Sequence, residues 1–437
     1  MSNSRSAAWY AMAVLFAINT LNFFDRTIIA AVGEPVRLEF GLDDKSLGVL
    51  STAFTLLYAV VGIPFGRFAD KFSRTKLLGI GVFLWSLFTA LSGLVGSYRQ
   101  LFLLRLGVGI GEATCSPTAT SMIADMFPSE KRARAVSIFM LGLPIGIALS
   151  FALSGTIAKE YGWRMAFIAA GVPGIFAAIA ALFIREPIRG NADVRSANEA
   201  RPSGSIYRRI LADPTMRWLI VSGIIHNFCM YALSAFLTPL LMRYHGLDIK
   251  DANLYAMVIN GLMTLPGLLL AGVVGDHAKS RRKNGALLVL TAAVFFSAPF
   301  FLIALQVAPG NTLAFVAPMG IAFALLYFYY AIVYSTIQDI TDSSERGTAM
   351  SVYFFSMYVF GGALGPLIIG AISDYFTKSA AATSGIVEFS NAALEPFRAS
   401  GLHNAMYVVP ALCVVLALVM FASARTVGRS SVAKTSN

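Results

Sequence analysis

Four ionisable side chains stand inside long apolar runs of this sequence: Asp25 and Arg26 in the first run, Arg105 and Glu112 in the fourth. Charge at membrane depth is costly, so such residues face a bundle interior or a water-filled cavity and mark an ion or substrate path. Seven positions, two helical turns, separate Arg105 from Glu112, which places them on one helix face roughly 10 Å apart along the axis. Asp25 and Arg26 are adjacent, so their side chains diverge by about 100°. Counting from the predicted span ends puts Asp25 and Arg105 at equal depth, roughly 9 Å below one surface, with Glu112 nearer the midplane. An Asp25–Arg105 pair is therefore expected. A carboxylate beside an arginine stays ionised, whereas a desolvated one without a partner binds a proton readily. Arginine stays charged throughout. A motion that joins and parts these groups would load and unload a proton, with Asp25 and Glu112 as carriers and Arg26 and Arg105 as switches. The plainer alternative is a static cluster that fixes helix packing, but four charges on two helices exceed what packing needs.

Further along, His226 and Asn227 interrupt the seventh apolar run. A membrane histidine either relays protons and meets a phosphate or is simply hydrogen-bonded in place. The tenth run carries Tyr327, Tyr330 and Tyr334, which share a face by their i, i+3, i+7 spacing. With Tyr353 and Met357 of the eleventh run they suit a cavity that holds an apolar tail beside a polar head; a lipid-facing aromatic stripe is the alternative. The candidate substrate cavity is thus His226, Asn227, Tyr330, Tyr334, Tyr353 and Met357. Enzyme motifs are absent: Gly109 and Gly111 lie in mid-run rather than after a strand, so a nucleotide loop is a poor reading. No cofactor or metal is predicted, which leaves an ion gradient as the energy source. Cys115, Cys229 and Cys413 lie in separate runs and read as small buried hydrophobes.

The elements that position these residues follow from composition. Of 437 residues 57% are hydrophobic and 13% charged, about half the charge of a soluble protein. Apolar runs of roughly 20 residues recur along the chain, the signature of membrane helices. Spans are predicted over 8–31, 46–66, 77–96, 99–121, 133–156, 163–184, 217–241, 252–274, 285–306, 312–337, 348–372 and 404–424. The first continues past Asp25 without a small-residue cleavage site and reads as a retained span. A polar linker, 185–216, divides a first half, 1–184, from a second, 217–437. With both termini cytoplasmic, the inner segments hold 23 of the 34 Lys and Arg, while the acids divide almost evenly. A bias confined to cations is the positive-inside pattern. It accounts for the net charge of +11 without nucleic acid.

The halves echo each other. Gly66, Asp70 and Arg74 follow the second span, and Gly272, Gly275 and Asp276 follow the eighth. Lys131-Arg132-Ala133-Arg134 before the fifth span matches Glu345-Arg346-Gly347-Thr348 before the eleventh. Parallel repeats imply two six-helix bundles with a site near the midplane. Gly66, Asp70, Arg74 and Asp276 read as a conformational latch, in which Asp70 meets a helix N-terminus or a basic residue in one state only.

These motifs resemble the major facilitator superfamily over essentially the full chain. The Gly66…Asp70…Arg74 loop matches its signature between helices two and three, with Ser73 where a second glycine is usual. Arg105…Gly109…Gly111-Glu112…Pro117 resembles its fourth-helix motif, and Gly142-Leu143-Pro144-Ile145-Gly146 a shortened fifth-helix motif. Asn22-Phe23-Phe24-Asp25-Arg26, Ile123-Ala124-Asp125 and Gly162-Trp163-Arg164 resemble the Spinster-like branch. The resemblance implies an all-α membrane protein of major facilitator fold, twelve helices in two pseudo-symmetric bundles. It also implies a monomer of a bacterial-type inner membrane, and proton-coupled carriage of a lysophospholipid, sphingoid phosphate or similar amphiphile. The neighbouring sugar-acid symporters share the Asp-Arg and the Arg-x6-Glu, so sugar acids or other organic anions are the alternative substrates. A membrane-embedded lipid enzyme would want paired acids near one interface, and a simple pore would need neither the repeat nor the loops.

Overall fold

A segment inside a bilayer must satisfy its own backbone polar groups, and a helix does this within one run of chain. The computed structural model describes residues 2–188, 206–341 and 345–432, and among them every regular element is a helix. In chain order these are α1 Ser2–Phe40, α2 Asp44–Lys71, α3 Arg74–Ser92, α4 Tyr98–Glu112, α5 Cys115–Met126, α6 Ser129–Met140, α7 Gly142–Tyr161 and α8 Trp163–Leu182. They continue with α9 Ile206–Ala212, α10 Pro214–Arg243, α11 Ile249–Met257, α12 Thr264–Arg281, α13 Gly285–Leu305 and α14 Thr312–Ile340. The last are α15 Arg346–Ser356, α16 Leu364–Thr383, α17 Asn391–Leu394, α18 Arg398–Met406 and α19 Val408–Val432.

Among the described residues eleven helical stretches are long and apolar enough to cross a membrane. The other predicted span, 99–121, is the broken pair α4–α5. Pro117 supplies the break, because its ring clashes with the carbonyl four residues back, that of Ala113, and it lacks an N–H. Thr114 Oγ1 then donates to the Gly111 carbonyl at 2.8 Å. Similar proline chemistry marks two π-helical turns, Val258–Leu262 and Met357–Gly362. Each ends four residues before a proline, Pro266 and Pro366. The polar linker predicted over 185–216 is shorter than expected, since α9 and the start of α10 fall within it. Asp213 caps α10, its Oδ1 accepting from the Thr215 and Met216 amides at 2.7 and 3.1 Å, with Pro214 at the first helical position. Arg189, Arg195 and Arg201 lie outside the described residues.

The chain divides into two compact units that are not contiguous halves. The first comprises Met1–Leu42, Ala53–Ala197 and Asp248–Met257; the second comprises Asp43–Thr52, Asn198–Leu247 and Val258–Asn437. Each therefore takes in a ten-residue helical segment from the other half of the sequence. In the first unit α1 packs on α7, and α3 on α4 and α8, around Ile18, Val82, Trp85, Val108 and Phe139. A Cβ at Gly146 would collide with the Thr20 carbonyl, so this glycine lets α7 approach α1 closely. In the second unit α10, α13, α14 and α19 pack together, and Cys229 on α10 and Cys413 on α19 are both buried there.

Candidate functional site

The first unit brings Asp25, Arg26, Arg105 and Glu112 into one buried cluster. Glu112 is fully enclosed at the last residue of α4, immediately before the proline-induced break. Carbonyl dipoles at a helix C-terminus disfavour a carboxylate there, so Glu112 depends on a cation from elsewhere. Arg26 is that cation: its Nε donates to Glu112 Oε2 at 2.9 Å. The expected Asp25–Arg105 ion pair does not form. Arg105 instead donates from Nη2 to the backbone carbonyl of Asp25 at 3.2 Å. The Asp25 carboxylate accepts from Thr89 Oγ1 on α3 at 3.2 Å. The adjacent residues diverge as helix geometry requires, and it is Arg26 that turns toward α4.

Polar capacity in this cluster is left over. Asp25 Oδ1, Glu112 Oε1, Arg105 Nε and Nη1, and Asn22 Nδ2 are buried with no hydrogen-bond partner among the described residues. Unpaired buried polar atoms are expensive and rare in native proteins. Two acceptors on carboxylates and two donors on a fixed cation make a site that can take up a proton or an anionic group.

Two residues that sequence reasoning missed hold the arginines in place. The Arg26 guanidinium lies 3.9 Å from the ring centre of Tyr58, and Arg105 lies 5.1 Å from that of Phe54. Both rings come from α2, at i and i+4, a spacing visible in the sequence. Cation–π contact suits an arginine whose remaining partner is meant to change, because it attracts charge without consuming a donor.

The second unit carries an uncharged counterpart. Here His226, Tyr330, Tyr334 and Tyr353 join in one aromatic network. His226 stacks on Tyr329 with centroids 3.9 Å apart, and Tyr330 meets its edge at 5.0 Å. Tyr330 contacts Tyr334 at 5.7 Å, and Tyr334 contacts Tyr353 at 5.9 Å. The polar tips of Tyr329, Tyr353 and Asn227 are hydrogen-bonded. Tyr353 donates to the Tyr329 hydroxyl at 3.0 Å, Tyr329 meets Ser222 Oγ at 2.7 Å, and Asn227 Nδ2 donates to the Met357 carbonyl at 3.1 Å. His226, Asn227, Tyr353 and Met357 are all buried in this structure. Tyr330 and Tyr334 are only half-buried and keep faces that a ligand can reach.

Of the predicted latch, only part is visible. Gly66 and Asp70 belong to α2, and the Asp70 side chain lies outside the described residues. Asp276 is exposed on α12. Arg74, predicted to move with them, is instead buried and fully engaged. Its Nε donates to Glu186 Oε1 at 3.0 Å, Nη1 to Asp125 Oδ2 at 2.5 Å and Ser121 Oγ at 2.9 Å, and Nη2 to the Pro187 carbonyl at 2.7 Å. Burial opposes ionisation of Glu186, yet hydrogen bonds from Ser73, Arg74 and the Thr75 amide hold it at about 2. The Gly162-Trp163-Arg164 stretch also has a structural role: Trp163 Nε1 and Arg164 Nη1 both donate to Glu39 near the end of α1, at 2.7 and 2.6 Å.

A further charged network in the second unit had no signal in the sequence. Buried Asp44 pairs with Arg243 at 2.9 Å and accepts from Ser373 at 2.6 Å. Asp374 accepts from the Asp44 and Lys45 amides at the start of α2 and pairs with Arg398 at 3.3 Å. These residues span more than 350 positions without any repeated spacing.

Against known proteins, the sequence profile described as Major Facilitator Superfamily matches residues 15–366. A protein named "Probable L-galactonate transporter" from Escherichia coli (strain K12) is 30% identical over 83% of this chain and 83% of its own length. The sphingosine-1-phosphate transporter SPNS2 of Danio rerio is 29% identical over 87% of this chain and 78% of its own. Among solved structures, a bacterial homologue of the human lysosomal transporter Spinster, inward-facing and unoccupied, superposes with a TM-score of 0.87. It is 27% identical and covers 97% of this chain and 98% of that one.

Proposed function

The chain belongs to the major facilitator superfamily and is a membrane transporter of Spinster type rather than an enzyme; from that premise we propose that it is a proton-coupled secondary carrier for an anionic amphiphile, a lysophospholipid, sphingoid phosphate or close relative. The observation that carries the coupling is the pair of buried carboxylates, Asp25 and Glu112, each with one oxygen unpaired, beside two arginines seated on aromatic rings. Protonating Glu112 removes the charge that Arg26 neutralises and frees that guanidinium for an anionic headgroup. Deprotonation restores the pair and expels the headgroup. Asp25, held by Thr89, exchanges protons with the same path. Arg105 supplies a fixed positive field, since it keeps its charge.

The amphiphile rests on Tyr330 and Tyr334, whose rings offer apolar surface and whose hydroxyls suit the polar end of a ligand. It rests also on the likeness to a transporter named for sphingosine-1-phosphate. We place both termini in the cytoplasm of a bacterial-type inner membrane, on the Lys and Arg asymmetry, and assign a monomer working by alternating access. In the latch, Arg74 is the fixed anchor and Asp70 and Asp276 the moving parts. A second reading, carriage of a sugar acid, is favoured by the relative named for L-galactonate and by the same arginines, which would clasp a carboxylate.

The test is transport in proteoliposomes with and without a pH gradient, for the parent and for Asp25→Asn and Glu112→Gln. Loss of gradient dependence in either variant supports the coupling; unchanged dependence in both sinks it. Thermal shifts with a long-chain lysolipid, a sphingoid phosphate and galactonate separate the substrates, because binding raises stability by mass action. Stabilisation by galactonate alone overturns the amphiphile and leaves the coupling standing.

A further inference from the structure

At the end of the first unit where α1 begins, a recess of about 840 Å³ opens between the start of α1, the α5–α6 turn and the chain just after α8. Its walls are apolar, with Trp9, Met12, Phe127 and Ile188 among them, and Trp9 packs edge-on against Phe127 at 6.3 Å. Five charged side chains also line it: Asp125, Glu186, Lys131, Arg134 and Arg185. Arg74 pairs with both acids and offsets one of their two charges, so the three lining cations still leave the recess net positive. Lys131, Arg134 and Arg185 are exposed and make no ion pair among the described residues. The recess is therefore cationic in effect although its formal charge is nearly balanced.

Its position names the kind of anion. Arg134 lies at the start of the apolar run predicted over 133–156, and α8 ends at Leu182, so the cations fall where apolar runs give way to polar sequence. Beside the opening, Leu182, Phe183 and Ile188 are exposed, at 56%, 73% and 74%. Large apolar side chains next to unpaired cations at a helix end offer both halves of a lipid its match: acyl chains along the first, headgroup on the second. Trp9, half-exposed at the same level, is the residue type that favours the headgroup zone.

We propose that this recess binds the headgroup of an anionic diacyl phospholipid of the surrounding leaflet, with Lys131, Arg134 and Arg185 on the phosphate and Leu182, Phe183 and Ile188 along the chains. The site is separate from the coupling cluster and does not depend on the transport reading. By tying the start of α1 to the α5–α6 turn and the end of α8, a bound lipid would brace the first unit at this end.

The test is native mass spectrometry of the full chain from mixed micelles containing equal phosphatidylglycerol and phosphatidylcholine, counting retained lipid. The expected result is preferential retention of phosphatidylglycerol. Each cation near an anionic lipid surface is worth roughly fivefold in binding, so Arg134→Gln with Arg185→Gln should weaken retention by about 25-fold. Should the double variant fail to fold, Lys131→Gln alone is expected to lose about fivefold by the same arithmetic. Lys279→Gln, which removes an exposed cation of the second unit, should leave retention unaltered. Equal retention of both lipids, indifference to the cation variants, or a like loss on Lys279→Gln would overturn the proposal. So would displacement of the lipid by glycerol 1-phosphate as readily as by phosphatidylglycerol, since that would make the site one for a free anion.

Discussion

Two arginine–carboxylate clusters lie in the same unit and differ in what they leave undone. Around Arg74 every guanidinium nitrogen has an acceptor, and Asp125, Glu186, Ser121 and the Pro187 carbonyl are all satisfied by it. Around Arg26 and Arg105, Arg26 pairs with Glu112, yet one oxygen each of Asp25 and Glu112 stays unpaired among the described residues. The ingredients are alike: buried arginine, two acids, neighbouring hydroxyls. A closed network ties α3 to α5 and to the chain after α8 and has no reason to change. An open network is costly to hold and lowers its energy by binding a proton or an anion. Satisfaction, rather than residue type, separates the closed cluster from the one proposed to couple transport.

That contrast can be broken at several points. The most decisive is Glu112→Gln, expected to reduce gradient-driven transport to background while leaving the protein folded, because Gln keeps the size of the side chain and an acceptor for Arg26. Proteoliposome flux together with chemical denaturation reads both. Intact gradient dependence would make the two clusters equivalent. Next comes Arg74→Ala, which removes a buried guanidinium with its hydrogen bonds to Asp125, Glu186 and Ser121 and should destabilise the protein by about 2 kcal/mol. Denaturation of purified protein checks the loss, and gradient dependence should survive in the folded fraction. A smaller effect is expected for Tyr330→Ala: binding of a long-chain lysolipid should weaken by about 1 kcal/mol, roughly fivefold, on losing one aromatic wall, as measured by thermal shift.

The smallest effect concerns pH. Glu186 is held at about 2 in the folded protein, below its ordinary value of 4.5. Its contribution to stability is therefore complete above the ordinary value and is lost as pH falls from there through about 2. The difference in denaturation midpoint between the parent and Glu186→Gln should be constant from neutral pH down to about 5 and shrink below it. A difference that grows on acidification would show that Glu186 is not the ionised partner of Arg74.

Much of the coupling site was legible in the sequence because charge inside an apolar run has few permitted explanations. Asp25, Arg26, Arg105 and Glu112 declare themselves by composition alone, and the loops that echo between halves declare the repeat. The break after Glu112 was also written in, through Pro117 and its clash at Ala113. Pairing was not. Equal depth favoured Asp25 with Arg105, but depth is one coordinate, and rotation about the helix axes decides which side chains meet. Arg26 therefore reached Glu112, while Phe54 and Tyr58 entered as cation–π partners without notice. For the second unit, spacing placed Tyr327, Tyr330 and Tyr334 on one face correctly, and rings of Tyr327 and Tyr330 do touch, at 5.3 Å. It could not tell that His226 and Tyr353 would be sealed behind them.

Local rules with short reach were set by the chain itself: hydrophobic run length, the cation bias of the loops, the proline breaks and the residues sharing a helix face. These depend on contacts within a few turns or on transfer from water to lipid, which each segment experiences on its own. What only tertiary structure decided are contacts between segments far apart in the chain. Asp44 with Arg243 and Ser373, and Arg74 with Glu186, carry no mutual spacing to read. Their meeting depends on how whole helices rotate and slide against one another, and that is set by the summed packing of many side chains rather than by any one of them.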